Sequence, residues 1–176
     1  SVKVDNIKFD GQKISSGTEI AYLEGKQKDI LTIERTILNF IQRLSGISTL
    51  TNQFSSILSK YQVGLLDTRK TTPGHRILEK YATGCGGGYN HRMNLSDRIL
   101  IKDNHLAANQ IDSEKKLFSF LKKVKRISNN LILEVEIDEI KYLETSIEAG
   151  ADAVLLDNFT PEEVKSAVSI NENRIV

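Results

Sequence analysis

The chain has 176 residues, of which 39% are hydrophobic and 27% charged, and its formal net charge is +1. These values are typical of a globular protein with one substantial core, or one core with a smaller appended unit. The near-neutral charge argues against a broadly basic nucleic-acid-binding surface, and no apolar run is long enough to span a bilayer. We therefore expect neither nucleic acid nor membrane as a partner.

The only cysteine, Cys85, cannot form an internal disulfide, so nothing in the sequence calls for an oxidising compartment and we expect a cytoplasmic protein. No cysteine or histidine spacing is typical of a structural zinc site. The chain starts at Ser1 rather than at a methionine, and residues 173–176 resemble the opening of another strand. We expect an internal portion of a longer protein.

The first 23 residues contain short bursts of alternating apolar side chains, which predict short antiparallel strands separated by turns at Asp10-Gly11 and Ser16-Gly17. The bursts are Val2/Val4, Ile7/Phe9 and Ile20/Tyr22. From Ile30 the apolar period becomes three or four residues, which predicts a helix that closes at Ser45-Gly46. A second helix is predicted from Thr51 to Lys60.

Four apolar runs in the remaining sequence each end in polar or charged residues. They are Val63-Gly64-Leu65-Leu66, Ile99-Leu100-Ile101, Leu131-Ile132-Leu133 and Ala153-Val154-Leu155-Leu156. Short runs of this kind predict strands buried on both faces. Helical patterns separate them at Ser113–Ile127, at Glu139–Ala149 before Gly150, and after the capping sequence Thr160-Pro161-Glu162-Glu163. Alternating strands and helices predict parallel strands joined by crossovers.

Charged residues follow the four runs, at the strand ends where ligands bind in barrels and doubly wound sheets. They are Arg69, Lys70, Lys102, Glu136 and Asp157. The stretch from Asp67 to His105 also carries seven basic and four acidic side chains, a local cationic excess that suits a small anionic ligand. The alternative for Arg69-Lys70 is a surface salt-bridge cluster.

Glu134 and Glu136 are two residues apart, so on a strand they share one face, where Lys70 and Lys102 are the available cations. Carboxylates among cations favour a ligand with hydroxyl and anionic groups, such as a phosphorylated sugar carrying Mg²⁺. The run Gly84–Gly88 either approaches a ligand closely or is a flexible connector. Other interpretations are structural: satisfied histidines at His75 and His105, a small filler at Cys85, and a solvated, acid-paired helix arginine at Arg35.

Several motifs, in order along essentially the whole chain, resemble the quinolinate phosphoribosyltransferase family. They are Glu34-Arg35-Thr36, Asn39 to Ile47, Asp67-Thr68-Arg69-Lys70-Thr71-Thr72-Pro73-Gly74, Gly86-Gly87-Gly88-Tyr89-Asn90-His91-Arg92-Met93, Ile101 to His105, Glu134-Val135-Glu136 and Leu156-Asp157-Asn158-Phe159. The resemblance implies an α/β fold: an incomplete, TIM-like α/β barrel at 46–176, lacking its C-terminal strands, plus part of an N-terminal α/β sandwich with a helix at 1–45.

The resemblance also implies a reaction and its site. Quinolinate and phosphoribosyl pyrophosphate (PRPP), with Mg²⁺ bound through PRPP, would give nicotinate mononucleotide, pyrophosphate and carbon dioxide in NAD biosynthesis. It places substrate binding at Arg35, Thr68, Arg69, Lys70, His91, Arg92, Lys102, Glu136 and Asp157. The implied catalytic residues are Lys70, Lys102, Glu136 and Asp157. Arg35 would reach in from a neighbouring subunit of at least a dimer, which replaces its interpretation as a solvated arginine.

This sequence lacks two family features, the upstream helices that complete the sandwich and the downstream glycine-rich loops that hold phosphate. We therefore assign the function to the parent enzyme. Rival hypotheses are a related phosphoribosyltransferase for nicotinate or another anionic ring, a truncated non-catalytic subunit that dimerises, and a small carrier-like or assembly module.

Overall fold

A computed structural model describes residues 1–128, 130–172 and 174–175 as a mixed α/β chain with two compact units. The N-terminal unit is Ser1–Met93 and the C-terminal unit is Asn94–Val176. Residues 173 and 176 of the strand expected near the C-terminus lie outside the described residues. Within the described part of the chain, no helix is both long and apolar enough to cross a membrane.

The N-terminal unit begins with two antiparallel strands, β1 (Val2–Asp5) and β2 (Tyr22–Gly25). The turns at Asp10-Gly11 and Ser16-Gly17 form as predicted, with Gly11 and Gly17 at positive φ. The expected strand at Ile7/Phe9 does not form. Phe9 is 85% exposed there. A single backbone hydrogen bond outside the β1–β2 ladder, from Lys8 N–H to the Ile20 carbonyl at 2.9 Å, joins the segment after β1 to the segment before β2.

One long helix, α1 (Gln27–Leu58), replaces the two predicted helices and is followed by a single 3₁₀ turn at Ser59–Tyr61. The predicted stop at Ser45-Gly46 is wrong. A glycine costs a helix only about 1 kcal/mol, and contacts on both sides of Gly46 hold α1 against α2 (Arg76–Cys85). The Arg43 guanidinium contacts Glu79, and the Ser48 hydroxyl donates to the Ala82 carbonyl at 2.7 Å.

We expect Gly46→Ala to raise the free energy of unfolding by about 1 kcal/mol, because alanine favours helix and a Cβ at this position meets no atom within 4 Å. Gly86→Ala should instead lower the free energy of unfolding, because its Cβ would lie 2.4 Å from the Ser48 carbonyl oxygen. Urea unfolding of both variants measures the two effects. A Gly46→Ala variant that is clearly destabilised would contradict a continuous α1.

The predicted strand at 63–66 is also wrong. Only an isolated parallel bridge forms there, between Leu66 and Tyr89. Val63 and Leu66 are about half exposed, so this run is not the strand buried on both faces that its sequence favours.

The C-terminal unit contains a three-stranded parallel sheet in the order β3-β4-β5. Its strands are β3 (Ile99–Ile101), β4 (Leu133–Ile137) and β5 (Ala153–Leu156). Its helices are α3 (Asp103–Ala108), α4 (Glu114–Ser128), α5 (Lys141–Glu148) and α6 (Pro161–Asn171). The crossovers confirm the predicted parallel strands. Two further predictions are confirmed by Gly150 at positive φ after α5 and by the Thr160–Glu163 capping box of α6.

The predicted strand at Leu131–Leu133 lies two residues too early, because β4 begins at Leu133 and includes both Glu134 and Glu136. Alternate residues of β4, Leu133, Val135 and Ile137, are buried in a core with Leu117 and Leu121 of α4. Because side chains alternate along a strand, Glu134 and Glu136 lie on the opposite face of the sheet. The described residues contain no closed barrel.

Candidate active site

Two of the predicted substrate-binding segments of the N-terminal unit lie side by side. The Tyr89 N–H donates to the Leu65 carbonyl at 2.7 Å, and the Asp67 N–H donates to the Tyr89 carbonyl at 3.0 Å. These two bonds place residues 67–70 next to residues 89–92. The structure therefore brings Thr68, Arg69 and Lys70 into the neighbourhood of His91 and Arg92.

A buried ion pair joins these two segments. The Lys80 Nζ lies 2.5 Å from Asp67 Oδ1, and the two side chains are 1% and 10% exposed. Lys80 Nζ also donates to the His91 carbonyl at 3.2 Å, while the His91 N–H donates to Asp67 Oδ1 at 2.8 Å. With its amide oriented to satisfy its hydrogen bonds, Asn90 donates to Asp67 Oδ2 at 2.8 Å. The Asp67 carboxylate thus accepts from three donors.

The turn that follows Asp67 is held by its own backbone and side chains. The Thr68 hydroxyl accepts from the Lys70 N–H at 3.1 Å, and the Arg69 carbonyl accepts from Arg76 Nη2 at 3.4 Å. The Arg69 Nε is buried and has no hydrogen-bond partner among the described residues. A buried donor without a partner costs about 1–3 kcal/mol, so this guanidinium is suited to an added anionic acceptor. The Lys70 side chain is exposed.

Glu79 fixes the far end of the same turn to α1 and α2. Its carboxylate accepts from Arg43 Nη2 at 2.8 Å, from the Thr72 hydroxyl at 2.8 Å and from the Thr72 N–H at 3.1 Å. The hydrogen bond from Arg43, followed by that from the Thr72 hydroxyl, lowers the pKa of Glu79 to about 2. Glu79 is therefore ionised in the folded chain far below the pH at which a free glutamate protonates.

We expect Glu79→Gln to lower the free energy of unfolding at neutral pH by about 1–2 kcal/mol. The effect is smaller than for a fully buried pair, because the Arg43 side chain is exposed to solvent and water screens its charge. Because the folded pKa is depressed, this stabilisation is complete above about pH 4.5, the ordinary value, and is lost as the pH falls towards 2. Urea midpoints measured from pH 7 to pH 2 should therefore converge for wild type and variant. Glu24→Gln, on the exposed part of β2, controls for loss of one charge, and parallel pH curves for Glu79→Gln and wild type would refute the assignment.

The glycine run packs against α1. A Cβ on Gly86 would lie 2.6 Å from Thr51 Cβ, and a Cβ on Gly88 would lie 2.8 Å from Thr83 Cγ2. Gly87 has a φ of +85°, which favours glycine. Gly86 and Gly88 are therefore closely packed between α2 and residues 89–92, which favours a defined connection over a flexible one.

The C-terminal unit places its predicted site residues on one face and at one edge of its sheet. Lys102, directly after β3, contacts Glu136 with its Nζ 2.5 Å from Oε2. Arg98, directly before β3, pairs with Glu134 at 3.3 Å. Lys102 was expected to balance one of these carboxylates; sequence reasoning missed Arg98, although its position one residue before an apolar strand was a usable signal.

Asp157 follows β5 at the same edge. Its N–H donates to the Ile137 carbonyl at 2.9 Å, which extends the ladder between β4 and β5 by one residue. Its side chain is exposed and accepts from the Asn158 amide at 2.9 Å. Glu136, which is paired with Leu155 in the strand register, and Asp157 therefore supply two carboxylates near the C-terminal ends of β4 and β5.

The remaining candidates behave as local structure. The His105 Nδ1 accepts from the Lys102 N–H at 3.0 Å and caps α3, and the His75 ring lies 5.8 Å from that of Phe40. Both fit the predicted structural role. Cys85 is a free, half-buried thiol at the end of α2. Arg35 is exposed on α1, and the structure shows no ion pair for it among the described residues, so the predicted acid partner is absent there.

Two concavities of the C-terminal unit lie away from these residues. One, of about 680 Å³, is lined by Lys122, Lys123 and Arg126 of α4 and by Gly150, which precedes β5. It is therefore near the N-terminal end of β5, away from Lys102 and Asp157. Among the described residues, no group of three or more histidine, cysteine, aspartate or glutamate side chains is arranged to hold a metal ion.

Models of one protein family match nearly the whole chain. The family model for the C-terminal domain of quinolinate phosphoribosyl transferase matches residues 47–175, and the model for its N-terminal domain matches residues 1–45. The chain belongs to the quinolinate phosphoribosyl transferase family. The resemblance inferred from the motifs is thereby confirmed.

Individual members of this family are similar in sequence and structure. A probable nicotinate-nucleotide pyrophosphorylase (carboxylating) of Bacillus subtilis is 45% identical over 159 residues, which cover 90% of this chain and 53% of the relative. The corresponding protein of Mycobacterium leprae is 36% identical over 94% of this chain and 56% of its own length. The nicotinate-nucleotide pyrophosphorylase structure from Francisella tularensis superposes with a TM-score of 0.90 at 42% identity, covering 99% of this chain and 60% of that one. The chain thus spans little more than half the length of these relatives.

Proposed function

We propose that the complete polypeptide transfers the phosphoribosyl group of PRPP to quinolinate and releases carbon dioxide, giving nicotinate mononucleotide and pyrophosphate for NAD biosynthesis. Family membership and the activity for which the relatives are named support this reaction. The observation that carries it is the buried Arg69 Nε, which lacks a hydrogen-bond partner among the described residues of a turn rich in cationic side chains. A carboxylate of quinolinate would pair with the Arg69 guanidinium, which is partly exposed.

Quinolinate binding is proposed for several residues in each unit. In the N-terminal unit these are Thr68, Arg69, His91 and Arg92, which stand on the two adjoining segments described above. In the C-terminal unit the proposed residue is Lys102. Arginine provides a planar pair of donors that matches a carboxylate, whereas lysine provides a point charge. Quinolinate carries two carboxylates, so this set of cations suits it better than it suits nicotinate, which carries one.

The proposed chemistry separates into two steps. The ring nitrogen of quinolinate forms a bond to the sugar carbon as the carbon–oxygen bond to pyrophosphate breaks and pyrophosphate leaves with the bonding electrons. The carbon–carboxylate bond next to the nitrogen then breaks; its electrons pass towards the positively charged ring, carbon dioxide leaves, and a proton takes its place. Both steps develop charge that fixed groups can stabilise.

Four residues are proposed as catalytic. Glu136 and Asp157 would stabilise the positive charge that develops on the sugar carbon, and they would also contact the ribose of PRPP. Lys70 and Lys102 would stabilise the departing phosphate oxygens and the carboxylates near the reacting atoms. The Lys102–Glu136 contact supports these roles, because it orients the carboxylate through one of its oxygens, Oε2.

Mg²⁺ is proposed as the cofactor, bound chiefly through PRPP. The residues fit this arrangement: Glu136 is already bonded to Lys102, and the exposed carboxylate of Asp157 supplies oxygen at the edge of the sheet. Magnesium prefers oxygen ligands and commonly keeps substrate phosphates and waters among them. The ion would supply charge stabilisation for the departing pyrophosphate.

The oligomeric state and the domain organisation are also proposed. The exposed Arg35, for which the structure shows no acid partner among the described residues, is free to reach the substrate of a second subunit in at least a dimer. The parallel β3-β4-β5 sheet with its helices is consistent with part of an incomplete TIM-like barrel at residues 46–176. Residues 1–45 would belong to an α/β sandwich, which the match of the N-terminal family model supports. A cytoplasmic location stays a prediction.

Product analysis tests the function. The complete polypeptide, supplied with PRPP and Mg²⁺, should release carbon dioxide from carboxyl-labelled quinolinate and form nicotinate mononucleotide, and nicotinate should give little product. Equal or faster turnover of nicotinate without carbon dioxide release would establish the related phosphoribosyltransferase instead. A polypeptide that dimerises but forms no product from either ring would establish a non-catalytic subunit.

A further inference from the structure

The buried pair Lys80–Asp67 has no role in the reaction proposed above, although it lies between two of the proposed substrate-binding segments. We propose that this pair is a positioning device that fixes residues 67–70 relative to residues 89–92, and thereby sets the affinity for quinolinate. This inference rests on the proposed function. Lys80 is 1% exposed, so it does not itself reach a substrate, and it acts through the residues to which it is bonded.

The contacts of the pair explain why it controls position. Lys80 Nζ binds the His91 carbonyl, and Asp67 Oδ1 accepts the N–H of the same residue, so both polar groups of the His91 backbone end on the pair. Asp67 immediately precedes Thr68 and Arg69 in sequence. A change in the length or angle of the Lys80–Asp67 contact therefore moves Arg69 relative to His91.

Stability alone gives little reason for a lysine here. A buried ion pair loses the hydration of both charges, and well-packed apolar residues of similar volume are often as stable. Apolar substitutes at both positions would, however, leave the backbone N–H and carbonyl of His91 without these partners. Residues 67–70 could then shift relative to residues 89–92, because the isolated parallel bridge between Leu66 and Tyr89 would be left to hold the two segments together. The charged pair supplies a defined geometry that an apolar pair would not supply.

The variant Lys80→Met keeps an unbranched side chain that is one atom shorter, and it removes the charge and the donors. We expect the KM for quinolinate, and its dissociation constant in the absence of PRPP, to rise about 10–100-fold, because small misplacements of binding groups have effects of this size. The KM for PRPP and kcat should change much less. Asp67→Asn, which keeps the shape of Asp67 and one acceptor oxygen, should show the same pattern to a smaller degree.

The chain offers a matched control in its other unit. Lys125 Nζ lies 2.5 Å from Asp152 Oδ2, and that carboxylate also accepts a backbone N–H, from Leu133 at 2.7 Å. Lys125→Met therefore removes a lysine–aspartate contact of similar make-up, although a more exposed one, within the C-terminal unit. We expect it to leave the KM for quinolinate unchanged.

Amide hydrogen exchange separates this inference from the proposed function. In Lys80→Met the amides of residues 89–92 should exchange faster than in wild type, and this readout needs no substrate. If wild type binds no quinolinate, the proposed function fails while the exchange result still tests the positioning role. A folded Lys80→Met, or a folded Asp67→Asn if the first variant does not fold, with wild-type KM for quinolinate and unchanged exchange would overturn the inference.

Discussion

The variant Glu136→Gln is expected to lower kcat of the complete polypeptide about 10²–10³-fold, the usual cost of removing one group that stabilises transition-state charge. Glutamine keeps the volume of the side chain in β4, where Glu136 is 10% exposed, but it cannot balance a positive sugar carbon. It also releases Lys102 from its charge partner. The KM values for quinolinate and PRPP should change less than kcat, because the lost interaction is strongest in the transition state.

Steady-state kinetics with both substrates measure this effect, and unfolding midpoints check that the variant is folded. Glu139→Gln is the control, because Glu139 is an exposed acid that pairs with Lys141 shortly after the same strand. We expect it to have wild-type kcat. A folded Glu136→Gln enzyme with unchanged turnover would remove Glu136 from the catalytic residues.

The second large effect is expected for Arg69→Ala, which should raise the KM for quinolinate about 10²-fold, in keeping with the loss of a charge-assisted, two-donor contact to a carboxylate. Arg69→Lys should recover only part of this loss, since lysine cannot offer two parallel donors. The KM for PRPP should change little. The reason for choosing Arg69 is its buried Nε, which lacks a partner among the described residues.

Binding titrations with quinolinate alone give the same comparison without chemistry. Arg126→Ala is the control, because Arg126 is an exposed arginine of α4 beside the lysine-lined concavity. Its affinity for quinolinate should equal that of wild type. Equal affinities for Arg69→Ala and Arg126→Ala would show that Arg69 does not bind the substrate.

The sequence was sufficient to predict the parallel C-terminal sheet, because β3 and β5 are short apolar runs and two of the helices have a cap or a terminal glycine. The capping box at Thr160 and the C′ glycine at Gly150 are local signals, and both are confirmed. The contact between Lys102 and Glu136 was also predictable. Lys102 directly follows β3 and Glu136 lies in β4, each one residue after the paired residues Ile101 and Val135.

Features that depend on tertiary contacts were not predictable in this way. The continuation of α1 through Gly46 depends on its packing against α2, which offsets the local preference for a stop. The start of β4 was placed too early because Leu131 and Ile132 are apolar but about 40% exposed. Lys80 gave no signal, since a lysine in a helix is ordinarily at the surface and its partner Asp67 is 13 residues away.

A crystal structure of the complete polypeptide with quinolinate bound would test the proposed substrate site. We expect a ligand carboxylate within about 2.7–3.2 Å of the Arg69 guanidinium, with His91 or Arg92 contacting the same ligand from the adjoining segment. Quinolinate bound at another surface, with no contact to residues 67–70 or 89–92, would contradict it.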